Sequence, residues 1–279
     1  MQALKDMEIG VMFWAGGDPS ETVREVKSLG VGCGQLGVPG EMPLAGAGAA
    51  WRRALAEENF TIVTVFAAYV GESYADIPTV AQTVGFVPPA TRREREERTL
   101  AVSDFAAELG VAGIATHIGC IPEDRTAQDY IAVRDVVRRV CDHAAGHSQT
   151  FALETGQEAA ATLLDFIEGA ERANLRINFD PANMILYGTG DPIVALHTLG
   201  RHVITVHCKD GDWPPKDLLG ALGTEKPLGQ GSVGMGRFVA KLREIGYRGP
   251  LTIEREAHDP VQRRRDIMKG AELLRRLAG

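Results

Sequence analysis

The chain of 279 residues (30.0 kDa) carries 30 lysines and arginines against 37 aspartates and glutamates, a formal charge of −7. At 44% hydrophobic and 24% charged residues, its composition is that of an ordinary globular protein, which excludes disordered and fibrous classes. The acidic balance, with a pI near 5.6, lacks the basic footprint of a general nucleic-acid binder. No apolar run reaches the roughly 18 residues that a spanning helix needs, so no membrane association is expected. The start, MQALKDMEIG, has neither a basic region nor an apolar stretch, so no secretory leader is expected. The cysteines, Cys33, Cys120, Cys141 and Cys208, include no C-x-x-C pair, which argues against a zinc ribbon or disulfide framework and for a reducing cytoplasm.

In chain order, the first β-rich run falls at 8–14 (EIGVMFW). After Asp18-Pro19 a helix is expected over 19–29, with Ser20 as its cap and Val23, Val26 and Leu29 on its apolar face. Strands follow at 33–38 (CGQLGV) and 61–68 (TIVTVFAA). The run RREREER at 92–98 alternates in sign and sets Glu94 and Arg98 four apart in the favourable order. It reads as the solvated start of a helix, not as a nucleic-acid contact. Further strands fall at 111–118 (VAGIATHI), 150–155 (TFALET), 175–180 (LRINFD), 203–208 (VITVHC) and 250–255 (PLTIER). Helices are expected over 158–173 and 260–278, the latter with Ile267, Ala271, Leu274 and Leu277 on one stripe. Continuous apolar and β-branched cores mark parallel strands buried on both faces. Eight strand–helix repeats favour a closed (β/α)8 TIM barrel over an open doubly wound sheet, with 1–279 as one domain and insertions in its three longest connections.

In such a barrel the C-terminal ends of the strands converge on one face, which carries the chemistry. Strand four here ends in His117, strand five in Glu154, and strand six in Asp180 with Asn183 three residues on. Strand seven ends in His207, followed by Lys209 and Asp210, and strand eight in Glu254, followed by Glu256. Any one of these alone reads equally well as a helix cap or a satisfied polar group. Four consecutive strands ending in Glu, Asp, His and Glu are different, because burying three carboxylates together costs several kcal/mol each unless a cation compensates them. One divalent ion is the economical explanation, and the oxygen-rich donor set suits Mn²⁺, Mg²⁺, Co²⁺ or Zn²⁺. Cys208 should point away from this site, since neighbouring strand residues face opposite sides.

This succession resembles the xylose-isomerase-like TIM-barrel superfamily, in its sugar phosphate isomerase/epimerase branch. That branch includes ketose 3-epimerases, hydroxypyruvate isomerase and inosose dehydratase. The likeness spans essentially the whole chain and is best marked in ALETGQE, NFDPANMILYGTGDP, VHCKDG, PLGQGSVGMGRF and LTIERE. It implies that Glu154, Asp180, His207 and Glu254 hold one divalent metal, that Glu154 and Glu254 also shuttle the substrate proton, and that His117 lines the substrate pocket. Two positions depart from the epimerase pattern: Asn183 stands where a histidine is usual, and Trp213 where an arginine is usual. Lys209 matches the variant with a His-x-Lys-Asp strand end. Relatives are often dimers or tetramers, so a homo-oligomer is an expectation for this chain.

The implied activity is that of a metal-dependent isomerase or epimerase in carbohydrate metabolism. It would act on a small keto-sugar or polyol, with proton transfer through a cis-enediolate and the two glutamates as acid and base. Lys209 would stabilise developing negative charge, unless it is simply paired with Asp210 or another loop acid. Glu256 would support Lys209 or a loop arginine, and Trp14, Phe66 and Trp213 would wall the pocket. A lyase or dehydratase on the same site, inosose-dehydratase-like or C-glycoside-cleaving, is the alternative. A phosphodiester endonuclease is weaker, because a multi-metal site needs more histidines and carboxylates than the strand ends supply. A binding module with an inert metal site is the reading outside enzymes. Gly229-x-Gly231-x-x-Gly234 fits a dinucleotide fingerprint in spacing, but the short, polar TEKPL before it is a poor strand. Such a loop is still expected to let a substrate or phosphate approach closely.

Overall fold

The computed structural model describes residues 4–279; residues 1–3, part of the start read above as lacking a leader, lie outside the described residues. Strands β1 (Ile9–Trp14), β2 (Cys33–Val38), β3 (Thr61–Ala67), β4 (Gly113–Thr116), β5 (Thr150–Glu154), β6 (Leu175–Phe179) and β7 (Val203–Cys208) follow one another in parallel. After them, β8 (Asp210–Asp212) and β9 (Thr224–Lys226) form a small antiparallel hairpin outside the barrel. Strand β10 (Leu251–Ile253) then closes an eight-stranded barrel by pairing with both β7 and β1. The helices are α1 (Pro19–Lys27), α2 (Gly48–Glu57), α3 (Ile77–Thr83), α4 (Arg92–Leu109), α5 (Gln128–Gly146), α6 (Ala160–Ala170), α7 (Pro181–Tyr187), α8 (Pro192–Leu199), α9 (Met235–Glu244) and α10 (Pro260–Ala278). The chain is a single-domain α/β TIM barrel. Among the described residues, no helix is long and apolar enough to cross a membrane.

Alternation along each strand sorts the side chains into two layers. Val11, Leu36, Val65, Ile114, Leu153, Ile177, Val206, Cys208 and Leu251 face outward and share one core with the helices. Cys208 thus points away from the barrel interior, as the alternation requires. The opposite parity is not the apolar layer that the strand composition suggests. It holds a small cluster of Met12, Phe66, Ala115 and Ala152 together with the buried polar residues Gln35, Thr64, Asn178, Thr205 and Thr252. At the C-terminal ends of the strands the same parity places Trp14, Glu154 and His207 at the barrel mouth, and just past them His117, Asp180 and Glu254.

Two local expectations change. Helix α1 is capped by Asp18, whose carboxylate accepts from Glu21 N at 3.0 Å, while Ser20 lies inside the first turn. The same Asp-Pro start recurs in α7, α8 and α10, because an aspartate side chain satisfies free N–H groups and proline has none to satisfy. The RREREER segment does begin a helix, α4, but its face is not wholly solvated. Arg95 is buried, with its guanidinium 5.5 Å above the Tyr69 ring and donating to Gly85 O at 2.7 Å. The pair that forms on the exposed side is Arg93–Glu97 at 2.9 Å, whereas Arg98 turns in to donate to Pro39 O at 2.6 Å.

The connections that looked long carry α3 between β3 and β4, a long loop and the 19-residue α5 between β4 and β5, and the β8–β9 hairpin between β7 and β10.

Candidate active site

Glu154, Asp180, His207 and Glu254 meet at the mouth, each offering a ligand atom within 4.8 Å of the others. His207 Nδ1 is the hub: it lies 2.9 Å from Glu154 Oε1, 3.2 Å from Glu254 Oε2 and 3.7 Å from Asp180 Oδ2. Asp180 divides its two oxygens. Oδ1 caps α7 by accepting from Ala182 N (2.7 Å) and Asn183 N (3.0 Å), while Oδ2 is buried with no hydrogen-bond partner. Thr155 holds the backbone of Asp180 in place, accepting from its N at 2.8 Å and donating to its O at 3.0 Å. The Glu254 backbone is set by donation to Cys208 O at 3.2 Å, although β10 itself ends at Ile253.

A polar relay below the site fixes the imidazole. His207 Nε2 donates to Gln35 Oε1 at 3.1 Å, Gln35 Nε2 donates to Asn178 Oδ1 at 3.0 Å, and Thr205 Oγ1 donates to the same oxygen at 2.6 Å. With Nε2 committed to Gln35, Nδ1 is the nitrogen turned to the carboxylates. A partner that fixes ring orientation in this way typically contributes about 10–100-fold to metal affinity. Gln35→Leu is therefore expected to weaken divalent-metal binding by about that factor with the fold retained, measured by metal titration alongside circular dichroism.

The electrostatics follow from burial. Desolvation alone would raise the Glu154 and Glu254 carboxyls, but both are held below the ordinary value, Glu154 by His117 and His207 and Glu254 by His207 and Lys209. Asp180 goes the other way, because its burial outweighs the influence of nearby His207 and the charge of Lys209. Burial works against a charged His207, yet Glu254 and Glu154 raise its pKa well above that of a free histidine. In this arrangement the His207 proton and the Lys209 ammonium compensate the carboxylates.

Around the mouth, Lys209 is buried and bridges Glu254 Oε2 (3.0 Å) and Glu256 Oε2 (2.9 Å), not Asp210. Glu256 reaches it from beyond the strand end. His117 Nε2 meets Glu154 Oε2 at 3.0 Å, and its Nδ1 pairs with Gln157 Nε2 at 2.6 Å. Burial opposes the charge on His117, but Glu154 dominates and takes its pKa up to about 9. Asn183 Nδ2 donates to Glu154 Oε1 at 3.2 Å, so the residue that departs from the epimerase pattern orients a carboxylate here. The Phe66 ring lies beneath, 5.9 Å from His207 and 6.1 Å from His117. Trp14 is half exposed and lines a cavity of about 470 Å³ with Glu254, Arg255, Glu256 and Arg263. Trp213 lies just past β8 and is likewise half exposed.

Gln35, Thr155, Gln157 and Tyr74, whose ring is 5.8 Å from His117, complete the surroundings and were not singled out by sequence reasoning. Gln35 had a signal, being a polar residue in the middle of the apolar strand CGQLGV.

The glycine-rich loop does not present its donors to a ligand. Gly229 N and Gly231 N donate to Asp210 Oδ2 at 2.9 and 3.1 Å, and Gly211 N and Val233 N donate to Oδ1 at 2.9 and 3.1 Å. The loop wraps the carboxylate that follows Lys209, and a Cβ on Gly231 would sit 2.4 Å from Asp210 Oδ1. The expectation of a phosphate or substrate approach there is corrected: the anion is internal.

Glu158, four residues beyond Glu154, is buried and accepts from Ile121 N at 2.7 Å. Burial pushes its carboxyl up to about 7 from 4.5 against that hydrogen bond. The folded state thus keeps a proton that the unfolded chain releases. The resulting stabilisation is full below pH 4.5 and is lost as pH rises through 7. Glu158→Gln is expected to be more stable than the parent by about 2–3 kcal/mol at pH 8 and to lose that advantage near pH 4.5, read from urea unfolding midpoints.

A barrel of this topology with three carboxylates and an imidazole at its mouth defines a class, and comparison with known proteins places the chain in it. The model of the xylose isomerase-like TIM barrel family matches residues 23–277, and the chain belongs to that family. It is 44% identical to a xylose isomerase domain protein from Planctomyces limnophilus, with a TM-score of 0.91 over 98% of this chain and 97% of that one. Two more distant structures share the fold. They are a D-allulose 3-epimerase from Methylomonas sp. (16% identity, TM-score 0.71, 99% and 100% covered) and a probable 3-DHS dehydratase from Bacillus anthracis (15%, 0.69, 96% and 99%). A search of the curated proteins finds no match.

Proposed function

We propose that this protein is a divalent-metal-dependent isomerase or epimerase of a small keto-sugar or polyol. The observation that carries the reading is the convergence of Glu154, Asp180 and Glu254 on His207 Nδ1, with Asp180 Oδ2 buried and unpartnered. An orphaned buried carboxylate oxygen costs free energy that a cation recovers, and the donor set of three carboxylates and one imidazole fits Mn²⁺, Mg²⁺, Co²⁺ or Zn²⁺. Glu154, Asp180, His207 and Glu254 would hold it. Such an ion supplies Lewis-acid polarisation of a carbonyl and its neighbouring hydroxyl.

The chain's own groups then divide the proton work. Glu154 and Glu254 flank His207 from the ends of β5 and β10, so one carboxylate takes a proton from the substrate carbon and the other, after picking up a proton from solvent, delivers one to it. Return to the same carbon from the opposite face inverts it; return to its neighbour isomerises. Lys209 keeps Glu254 ionised and stands ready to neutralise charge on a substrate oxygen. His117 and Asn183 fix the plane of Glu154. The rings of Trp14, which lines a cavity with Glu254, and of Tyr74, beside His117, offer stacking surfaces for a sugar face. The sugar epimerases among the structures of the same fold support a small carbohydrate as substrate, and the free thiols of all four cysteines suit the cytoplasm.

Incubation with ketohexoses and inososes in D₂O, followed by NMR, tests the reading. Deuterium entering at the carbon beside the carbonyl with no loss of water is the expected result. An unsaturated product formed by loss of water would replace it with a dehydratase.

A further inference from the structure

Far from the barrel mouth, on the outer seam between α4 and α5, a second set of metal-capable groups meets. His143 in the last turn of α5 and His147 at its C-cap are four residues apart, so the helix sets both rings on one face. Their centroids are 5.3 Å apart. Both Nε2 atoms close on a single oxygen, Asp104 Oδ1 of α4, at 2.7 and 2.8 Å, and the three ligand atoms lie within 4.8 Å of one another. A carboxylate oxygen has room for two donors, and both places on Asp104 Oδ1 are taken by these rings. Here two imidazoles from one helix are aimed at the same point, which is the arrangement that clamps a cation between helix faces.

We propose that Asp104, His143 and His147 form a second, surface metal site that takes a late divalent transition ion, Zn²⁺ above all, and fastens α4 to α5. The donor set is the reverse of that in the barrel. Two imidazoles and one carboxylate favour Zn²⁺, Ni²⁺ or Cu²⁺ over Mg²⁺ or Mn²⁺, which prefer all-oxygen or oxygen-rich shells. The location favours a cation further, because the C-terminal end of α5 carries the negative end of its helix dipole. All three side chains are partly open to solvent, so water completes the coordination. Binding requires each ring to present its Nε2 lone pair and keep its proton on Nδ1. The seam already carries the pairs Arg92–Asp129 and Arg139–Glu96, and the metal would add a third tie at its far end.

Equilibrium dialysis of the full chain against Zn²⁺ alone at pH 7.5 tests this. The double variant His143→Ala/His147→Ala is expected to bind one equivalent fewer than the parent. Asp104→Ala should weaken that same equivalent by at least the roughly 10–100-fold that loss of a supporting partner costs. Asp180→Asn should leave it unchanged, which separates this site from the barrel mouth whatever the mouth binds. Circular dichroism confirms that each variant is folded, and a rise in thermal midpoint on Zn²⁺ addition in Asp180→Asn that is lost when His143→Ala/His147→Ala is combined with it provides a second readout. Equal Zn²⁺ stoichiometry in the parent and the folded double variant would overturn the proposal.

Discussion

Glu154→Gln and Glu254→Gln are each expected to lower turnover by about 10²–10⁴-fold, the range that a positioned acid or base contributes. Glutamine keeps an oxygen where each carboxylate now faces His207 Nδ1, so much of the local geometry survives while the proton-carrying capacity is lost. The two variants should also differ from each other. If the carboxylates address opposite faces of one substrate carbon, each variant retains solvent exchange with one epimer and loses it with the other. Metal content measured on the same samples separates lost chemistry from a lost ion. Full turnover in both variants would show that the two-carboxylate mechanism is wrong.

The second large effect concerns folding. Asp210→Ala removes the acceptor of four backbone N–H groups, from Gly211, Gly229, Gly231 and Val233. Hydrogen bonds to a charged group are worth about 1.5–3 kcal/mol each, and they are not additive in a loop that can relax towards water. A net destabilisation of about 4 kcal/mol is expected, read from urea unfolding. Asp210→Asn retains one oxygen and should lose about half of that. Because β8 begins at this residue and follows Lys209 directly, the loosened loop should also release the Lys209 bridge to Glu254 and Glu256. A change below about 1 kcal/mol in Asp210→Ala would mean that the cradle is ornamental.

The acid–base pair and the Asp210 cradle mark where sequence reasoning reached and where it stopped. The barrel was legible because apolar runs recur between helical patterns, and the mouth because strand after strand ends in a polar residue of one parity. Glu154, Asp180, His207 and Glu254 could be picked out that way, since each is the first carboxylate or imidazole after a largely apolar strand. Gln35 acts on His207 across 172 residues of chain, a pairing that barrel closure creates and no local spacing shows. The glycine loop misled for a related reason. Spacing says that N–H groups converge, but only the fold shows that Asp210 occupies the point of convergence.

Arg95 shows the same limit, since alternating charges look solvated until the segment following β3 brings Tyr69 beneath one of them. Asp104 was invisible as a partner of His143 and His147 because α4 and α5 meet only in three dimensions. Asn183 and Trp213 were visible as departures but not as consequences; the structure shows Asn183 orienting Glu154 and Trp213 half exposed beyond the hairpin strand.

The proposed function requires one cation among four side chains at the barrel mouth. Crystals grown with Mn²⁺ and measured at the manganese absorption edge test that most directly. The expected result is an anomalous peak bonded to Glu154, Asp180, His207 and Glu254, with Asp180 Oδ2 now coordinated. Saturating Mn²⁺ with no peak at that point, and His207 Nδ1 still paired with the carboxylates, would contradict it.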